Sequence, residues 1–194
     1  RRIAQAKQQL KASFLQVQND YFEQVKLGNS DLFDIFIGKR LLKNEVNENK
    51  KGIPIYSANV LQPFGYIDKE LISDFSKDSI LWGIDGDWMV NIIPAGNPFY
   101  PTDHCGVIRI KTGANINARY LALALEKEGQ RVRFSRSNRA KTEAIKGLRI
   151  VLPTIEKQNE IASMAEKAEH VINAANVIIA AAPAQKQAIL QKYL

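Results

Sequence analysis

From Ile161 onward the sequence places an apolar residue at every third or fourth position: Ile161, Met164, Ala168, Val171, Ala175, Ile178 and Ala182. Three heptads of this pattern line up on one stripe of an α-helix, whereas a strand would need a period of two. Over residues 155–182 the helix is roughly 40 Å long, and such a stripe requires a partner. Alanines at three seam positions allow close approach, so Ile161, Met164, Ala168, Val171, Ala175 and Ile178 are the expected helix-pairing interface. Pro183 is expected to kink or end the helix, leaving a short amphipathic piece over residues 185–194. A second stripe, Ile3, Ala6, Leu10, Phe14, Val17, Tyr21 and Val25, predicts a helix over residues 1–27 that Gly28, Asn29 and Ser30 stop. An antiparallel or bundled pairing of the two helices covers both stripes. Periodicity leaves open whether the partner stripe comes from the same chain or a second copy.

Between these helices the period changes. Ser79–Ile84 reads as an apolar strand, Asp85, Gly86 and Asp87 suit a tight reversal, and Trp88–Ile93 reads as the return strand. A proline-punctuated loop over residues 94–102 leads to a third strand at Cys105–Ile110. Upstream, a strand from Leu32 is followed by a charged loop from Gly38 to Gly52, a strand and turn from Ile53, and a turn over Pro63–Asp68. Downstream, Ala118–Glu128 reads as a helix with Asn117 as N-cap and Gly129 as its stop, and Thr142–Pro153 as a helical turn and a strand. The expected class is α+β, a β-rich domain flanked by long N- and C-terminal helices that form a coiled coil. The expected divisions are 1–30, 31–154 and 155–194.

With 194 residues, 45% of them hydrophobic, the chain can bury one sizeable core with helical appendages. No apolar run approaches the roughly 20 residues of a membrane span, and no signal segment opens the chain. A soluble, cytoplasmic protein is expected. Cys105 is the only cysteine, so an internal disulfide is excluded and a reducing compartment fits. The sequence opens on Arg1, already within helical sequence, which suits a fragment or a part of a longer polypeptide.

The net charge of +7 is unevenly placed. Arg131, Arg133, Arg136, Arg139, Lys141 and Lys146 crowd into sixteen residues that hold the single acid Glu143, with Ser135, Ser137 and Asn138 interleaved. Cations among small hydrogen-bonding side chains are what phosphates and base edges require. An ordinary solvated basic loop is the commoner explanation of such a cluster. Arg131, Arg133, Lys141 and Lys146 are candidates for phosphates. Arg136, Asn138 and Arg139 are candidates for bases, since Arg can grip guanine and Asn adenine through two hydrogen bonds; Ser137 lies among them. Lys39, Arg40, Ser57 and Asn59 are second-rank contacts by position.

Catalytic alternatives find little support. NPFY at Asn97–Tyr100 approaches the NPPY motif of adenine methyltransferases but lacks its second proline, and no glycine-rich turn upstream would hold S-adenosylmethionine. Asp85 and Asp87 could be imagined as nuclease metal ligands, yet hairpin turns favour aspartate without a metal. Asp103, His104 and Cys105 are adjacent, so on a strand they alternate in direction and form no nucleophile and base pair. With His170 as the only other histidine, a multi-histidine metal site within one chain is excluded. Trp82 and Trp88 read as core residues, while Tyr100 suits either core or surface.

Several segments in this order resemble the target-recognition domain of specificity subunits from type I restriction-modification systems. They are GKR at Gly38–Arg40, GIPIYSANV at Gly52–Val60, SILWGIDGDW at Ser79–Trp88, FYPTDHCGVIRI at Phe99–Ile110, FSRSNRA at Phe134–Ala140 and IKGLRIVLPTIEKQNEIA at Ile145–Ala162. The resemblance covers residues 31 to about 180 and implies a non-catalytic protein with no cofactor of its own. Its implied partners are double-stranded DNA, adenine methyltransferase subunits and a restriction subunit. Such subunits carry two recognition domains held apart by paired helices, and each domain reads half of a bipartite target. Only one module is found here. A homodimer through the helices would restore the symmetry and predict an inverted-repeat target; a half of a longer subunit, or the specificity end of a fused N6-adenine methyltransferase, are the alternatives. Outside this class stands a coiled-coil scaffold whose β-rich domain binds protein.

Overall fold

The computed structural model describes Gln5, Gln8, Ala12 and residues 23–47 and 51–193, which fall in two compact units, Glu23–Ile155 and the flanking Arg1–Phe22 with Glu156–Leu194. The expected N-terminal helix over 1–27 lies largely outside the described residues, although Gln5, Gln8 and Ala12 are helical. Its expected last turn is a strand instead. β1 (Glu23–Lys26) pairs antiparallel with β9 (Arg149–Leu152), Glu23 opposite Leu152 and Lys26 opposite Arg149. Val25 alone is buried in EQVK, and one apolar residue in four fits either period. The branched RIVL segment supplies a partner that settles it as a strand.

The centre of the larger unit is an antiparallel sheet in the order β2 (Phe33–Ile37), β8 (Cys105–Ile110), β5 (Ser79–Gly83), β6 (Val90–Ile93). β5 is buried along its whole length, so both of its faces must be covered. Leu81 on one face joins Val60, Ile72, Ile93, Phe99, Cys105 and Val107 in a single cluster. Trp82 and Ile80 on the other face lie on the side of Gly106 and Ile108, all buried. A smaller sheet, β4 (Gly65–Ile67), β3 (Ile53–Tyr56) and β7 (Tyr100–Pro101), runs antiparallel between β3 and β4 and parallel between β3 and β7. β4 lies where a turn is expected, because GYI pairs with IPI once the chain has doubled back. Tyr100 is core, 3% exposed, within this sheet's own cluster.

Helix α1 (Ala118–Val132) is capped as expected, the Asn117 side chain accepting from Tyr120 N–H at 2.9 Å. It does not stop at Gly129. Trp88 packs where a Gly129 side chain would stand and donates its indole N–H to the Glu126 carbonyl at 2.9 Å, so glycine makes room for the ring. The helix ends at Arg133, whose φ of 60° is left-handed. A short helix α2 (Thr142–Gly147) packs near β2 and leads into β9, matching the expected helical turn and strand.

Helix α3 (Ile155–Tyr193) runs through Pro183 rather than ending there; proline removes one backbone hydrogen bond from a helix. Along the expected seam Ile161 and Ala168 are buried, Met164 and Ala175 half-buried, and Val171 and Ile178 exposed. Val177 and Ile179 join Ile178 in an exposed apolar turn.

In an open helix interior, Gly→Ala stabilises by about 0.5–1 kcal/mol. At Gly129 the sign reverses: Gly129→Ala is expected to lower the unfolding free energy in urea by about 1–3 kcal/mol, the usual cost of overpacking.

Candidate nucleic-acid interface

The strand ends that follow β2 and β5 and precede β8 meet at one end of the large sheet, and hydrogen bonds tie their loops together. Gly38 N–H donates to the Cys105 carbonyl at 3.2 Å and Lys39 N–H to the Pro101 carbonyl at 3.2 Å. A Cβ at Gly38 would collide with that Pro101 carbonyl, so the approach depends on glycine. Thr102 N–H donates to the Tyr56 carbonyl at 2.9 Å, and its hydroxyl donates to Ser57 Oγ at 3.0 Å while accepting from His104 N–H at 3.2 Å. Ile84 N–H donates to the His104 carbonyl and Ala140 N–H to the Ile84 carbonyl, both at 3.1 Å. One continuous rim therefore runs from Lys39 past Ser57, Thr102, His104 and Asp85 to Arg139. Segments distant in sequence, GKR, IPIYSANV, DHC and FSRSNRA, lie along it.

The basic loop is fixed at both ends. Phe134 is buried beside Trp88, ring centroids 5.1 Å apart, and its N–H donates to the Gly129 carbonyl at 3.1 Å. Ala140 is buried, and its carbonyl accepts from the Trp82 indole N–H at 2.8 Å. Between them Asn138 works within the loop: its amide donates to the Val132 carbonyl at 3.1 Å and more weakly to the Arg133 carbonyl at 3.4 Å. These are the carbonyls left over where a helix ends, and they are satisfied just where Arg133 takes its left-handed turn. Asn138 thus caps the helix end through its amide N–H, while its side chain is exposed. Arg136, Ser137 and Arg139 are exposed on the loop, and Lys141 at its exit.

Other expected contacts are placed differently. Arg131 pairs with Glu128 on the last turn of α1, Nε to Oε2 at 2.8 Å. The Lys146 carbonyl accepts from Gly28 N–H at 2.9 Å, in the turn before β2 and hence away from Lys39 beyond its far end. Asn59 accepts from Leu61 N–H at 3.0 Å in a local turn next to the rim, and Lys39 and Arg40 are exposed on it.

Sequence reasoning missed Thr102, took Asp85 for a turn residue and found no catalytic pair at His104. Asp85 accepts from His104 Nδ1–H through one carboxylate oxygen and from Arg139 Nε–H through the other. Partial burial by itself raises the Asp85 carboxyl; the two hydrogen bonds and the neighbouring positive charge outweigh that and hold it below its ordinary value of 3.8. Cys105 is fully buried, and desolvation pushes its thiol up, away from reactivity. In NPFY, Phe99 and Tyr100 are both buried, so neither offers a face to a base, and Asn97 closes a turn onto the Pro94 carbonyl. Among the described residues no group of acidic, histidine or cysteine side chains could hold a metal ion, and no helix is long and apolar enough to cross a membrane.

Fold and rim together define a β-rich binding module continued by a long helix. The chain belongs to the family described as Type I restriction modification DNA specificity domain, whose sequence profile matches residues 19–178. Among solved structures it is similar to the type I restriction-modification system S subunit from M. genitalium, with 15% identity and a TM-score of 0.62, covering 89% of this chain and 45% of that one. The HsdS subunit from Thermoanaerobacter tengcongensis matches at 14% identity and a TM-score of 0.61, covering 88% of this chain and 46% of that one. A chain from a study of complex assembly in the type I R-M system matches at 15% identity and 0.62, covering 94% and 50%. This chain therefore spans about half the length of the structures it matches, and at such identities the likeness is one of fold. No curated protein matches the sequence.

A carboxyl held below 3.8 contributes stability in full above that pH and loses it as pH falls through the lower folded-state value. Asp85→Asn is accordingly expected to be less stable than wild type at neutral pH. Denaturation measured as a function of pH should show that difference shrinking as the pH falls below 3.8.

Proposed function

We propose that this chain is one target-recognition module of a type I restriction-modification specificity subunit: it reads half of a bipartite DNA site and directs adenine methyltransferase and restriction subunits there. The observation that carries the reading is the rim from Lys39 to Arg139, because family membership predicts DNA recognition and the rim offers cations and hydroxyls on a hydrogen-bonded scaffold. Lys39, Arg40, Arg133 and Lys141 pair with phosphates and set register. Arg136, Ser137 and Arg139 face the base edges, with Ser57 and Asn59 beside them. Arg131 and Lys146 add positive charge farther from the rim. In this reading the chain performs no catalysis, holds no cofactor and works in the cytoplasm, the chemistry belonging to its partner subunits.

Helix α3 acts as a spacer and Glu23–Ile155 as the recognition domain, strand β1 moving the domain's start from the expected 31 back to 23. A second copy supplies the other half-site through helix pairing, which gives the exposed Val171, Val177, Ile178 and Ile179 a partner. The target is then an inverted repeat. Light scattering is expected to give a dimer mass for the chain that rises on adding the methyltransferase subunit; a monomer indifferent to that subunit contradicts this arrangement.

DNA binding is tested by fluorescence anisotropy across a salt series. Affinity should fall steeply with salt, and Lys39→Ala should weaken all sequences alike while reducing the magnitude of the log–log slope by about 1. Arg136→Ala should cost about 1–3 kcal/mol on the preferred site and relax one base position. Affinity indifferent to salt would instead favour a protein-binding role.

A further inference from the structure

Asp85 is an acid on the rim between His104 and Arg139. On a surface meant for phosphates an uncompensated carboxylate repels the ligand, and an ion pair this open to solvent contributes little to stability. Its side chain is 26% exposed, and those of Arg139 and His104 are 46% and 49% exposed. The value of the arrangement lies in its directions. Arg139 is held through Nε, and among the described residues its guanidinium pairs with no residue other than Asp85. The grip is backed on every side. Ala140 N–H is bonded to the Ile84 carbonyl at 3.1 Å, immediately before Asp85, and the Ala140 carbonyl is held by the fully buried Trp82 at 2.8 Å. His104 takes the second carboxylate oxygen and is itself tied to Thr102 and Ile84 through its backbone.

A guanidinium held at Nε by one carboxylate, with no second residue engaging it, can turn its terminal N–H groups outward as two parallel donors, which match the two acceptors, O6 and N7, on the major-groove edge of guanine. Fixing it before DNA arrives removes the cost of ordering a long side chain on binding. We propose that Asp85 is a positioning residue that aims Arg139 at a guanine, so that a G·C pair belongs to the half-site read by this domain; the proposal rests on the DNA-recognition reading above. The same carboxylate weakens contact with a duplex that brings phosphate rather than guanine to this place, which makes Asp85 a source of discrimination rather than of affinity.

The test is selection from a duplex pool with a randomised core, using the full chain as wild type, Asp85→Ala, Asp85→Asn and Arg139→Ala, each confirmed folded by circular dichroism. Wild type should enrich a motif containing a guanine that Arg139→Ala no longer selects. Both Asp85 variants should relax that same position and lose about ten- to a hundredfold on the enriched site, while binding to scrambled duplex stays level or rises. Combining Asp85→Ala with Arg139→Ala should cost no more than Arg139→Ala alone. Asp85 variants that enrich the unaltered motif, or weaken enriched and scrambled duplexes equally, overturn the proposal. A wild-type chain that enriches no motif overturns the recognition reading itself, and a motif without guanine at the Arg139-dependent position overturns only the aiming of Arg139.

Discussion

The hydrogen bond from the Trp82 indole to the Ala140 carbonyl ties the buried sheet to the exit of the basic loop. The ring is fully buried and occupies the space that a side chain at Gly106 would take, so its position is dictated by the central sheet. Its one polar atom must find an acceptor in a buried environment. That acceptor is the exit of the basic loop. Because the Ala140 N–H also joins the Ile84 carbonyl, a loop between helices becomes an extension of the β5–β6 hairpin. Rigidity generated by apolar packing is carried to charged groups at the surface.

The hairpin over residues 79–93, the cap at Asn117, the strand at Cys105–Ile110 and the long helix could all be read from the sequence, because each is announced by local chemistry: alternation, a turn dipeptide, a capping side chain or a sustained heptad. What could not be read depended on partners far along the chain. EQVK becomes a strand only beside RIVL, and GYI only beside IPI. Gly129 looks like a helix stop until Trp88 occupies the place of its side chain. Tertiary packing overrides local preference in each of these cases.

The site divides along the same line. Composition pointed to the basic loop, since clustered arginines need no partner to be seen. It could not sort them. Asn138 has a side chain suited to reading adenine, yet in the fold its amide bonds to the carbonyls of a helix end; Asp85 has the identity of a turn residue, yet it pairs with Arg139 across the rim. Both assignments depend on distances between segments that a one-dimensional pattern does not contain. The type of residue indicates which chemistry is possible, and its partners decide which is available.

The pairing of Glu23–Lys26 with Arg149–Leu152 has a consequence for how this protein can change. It brings the point where the chain enters the domain alongside the point where it leaves, like the two posts of a gate. Everything between the posts can be exchanged for a different loop-bearing domain without altering the position or direction of the chain on either side. A change in the loops between the posts can then leave the spacing of entry and exit as it is.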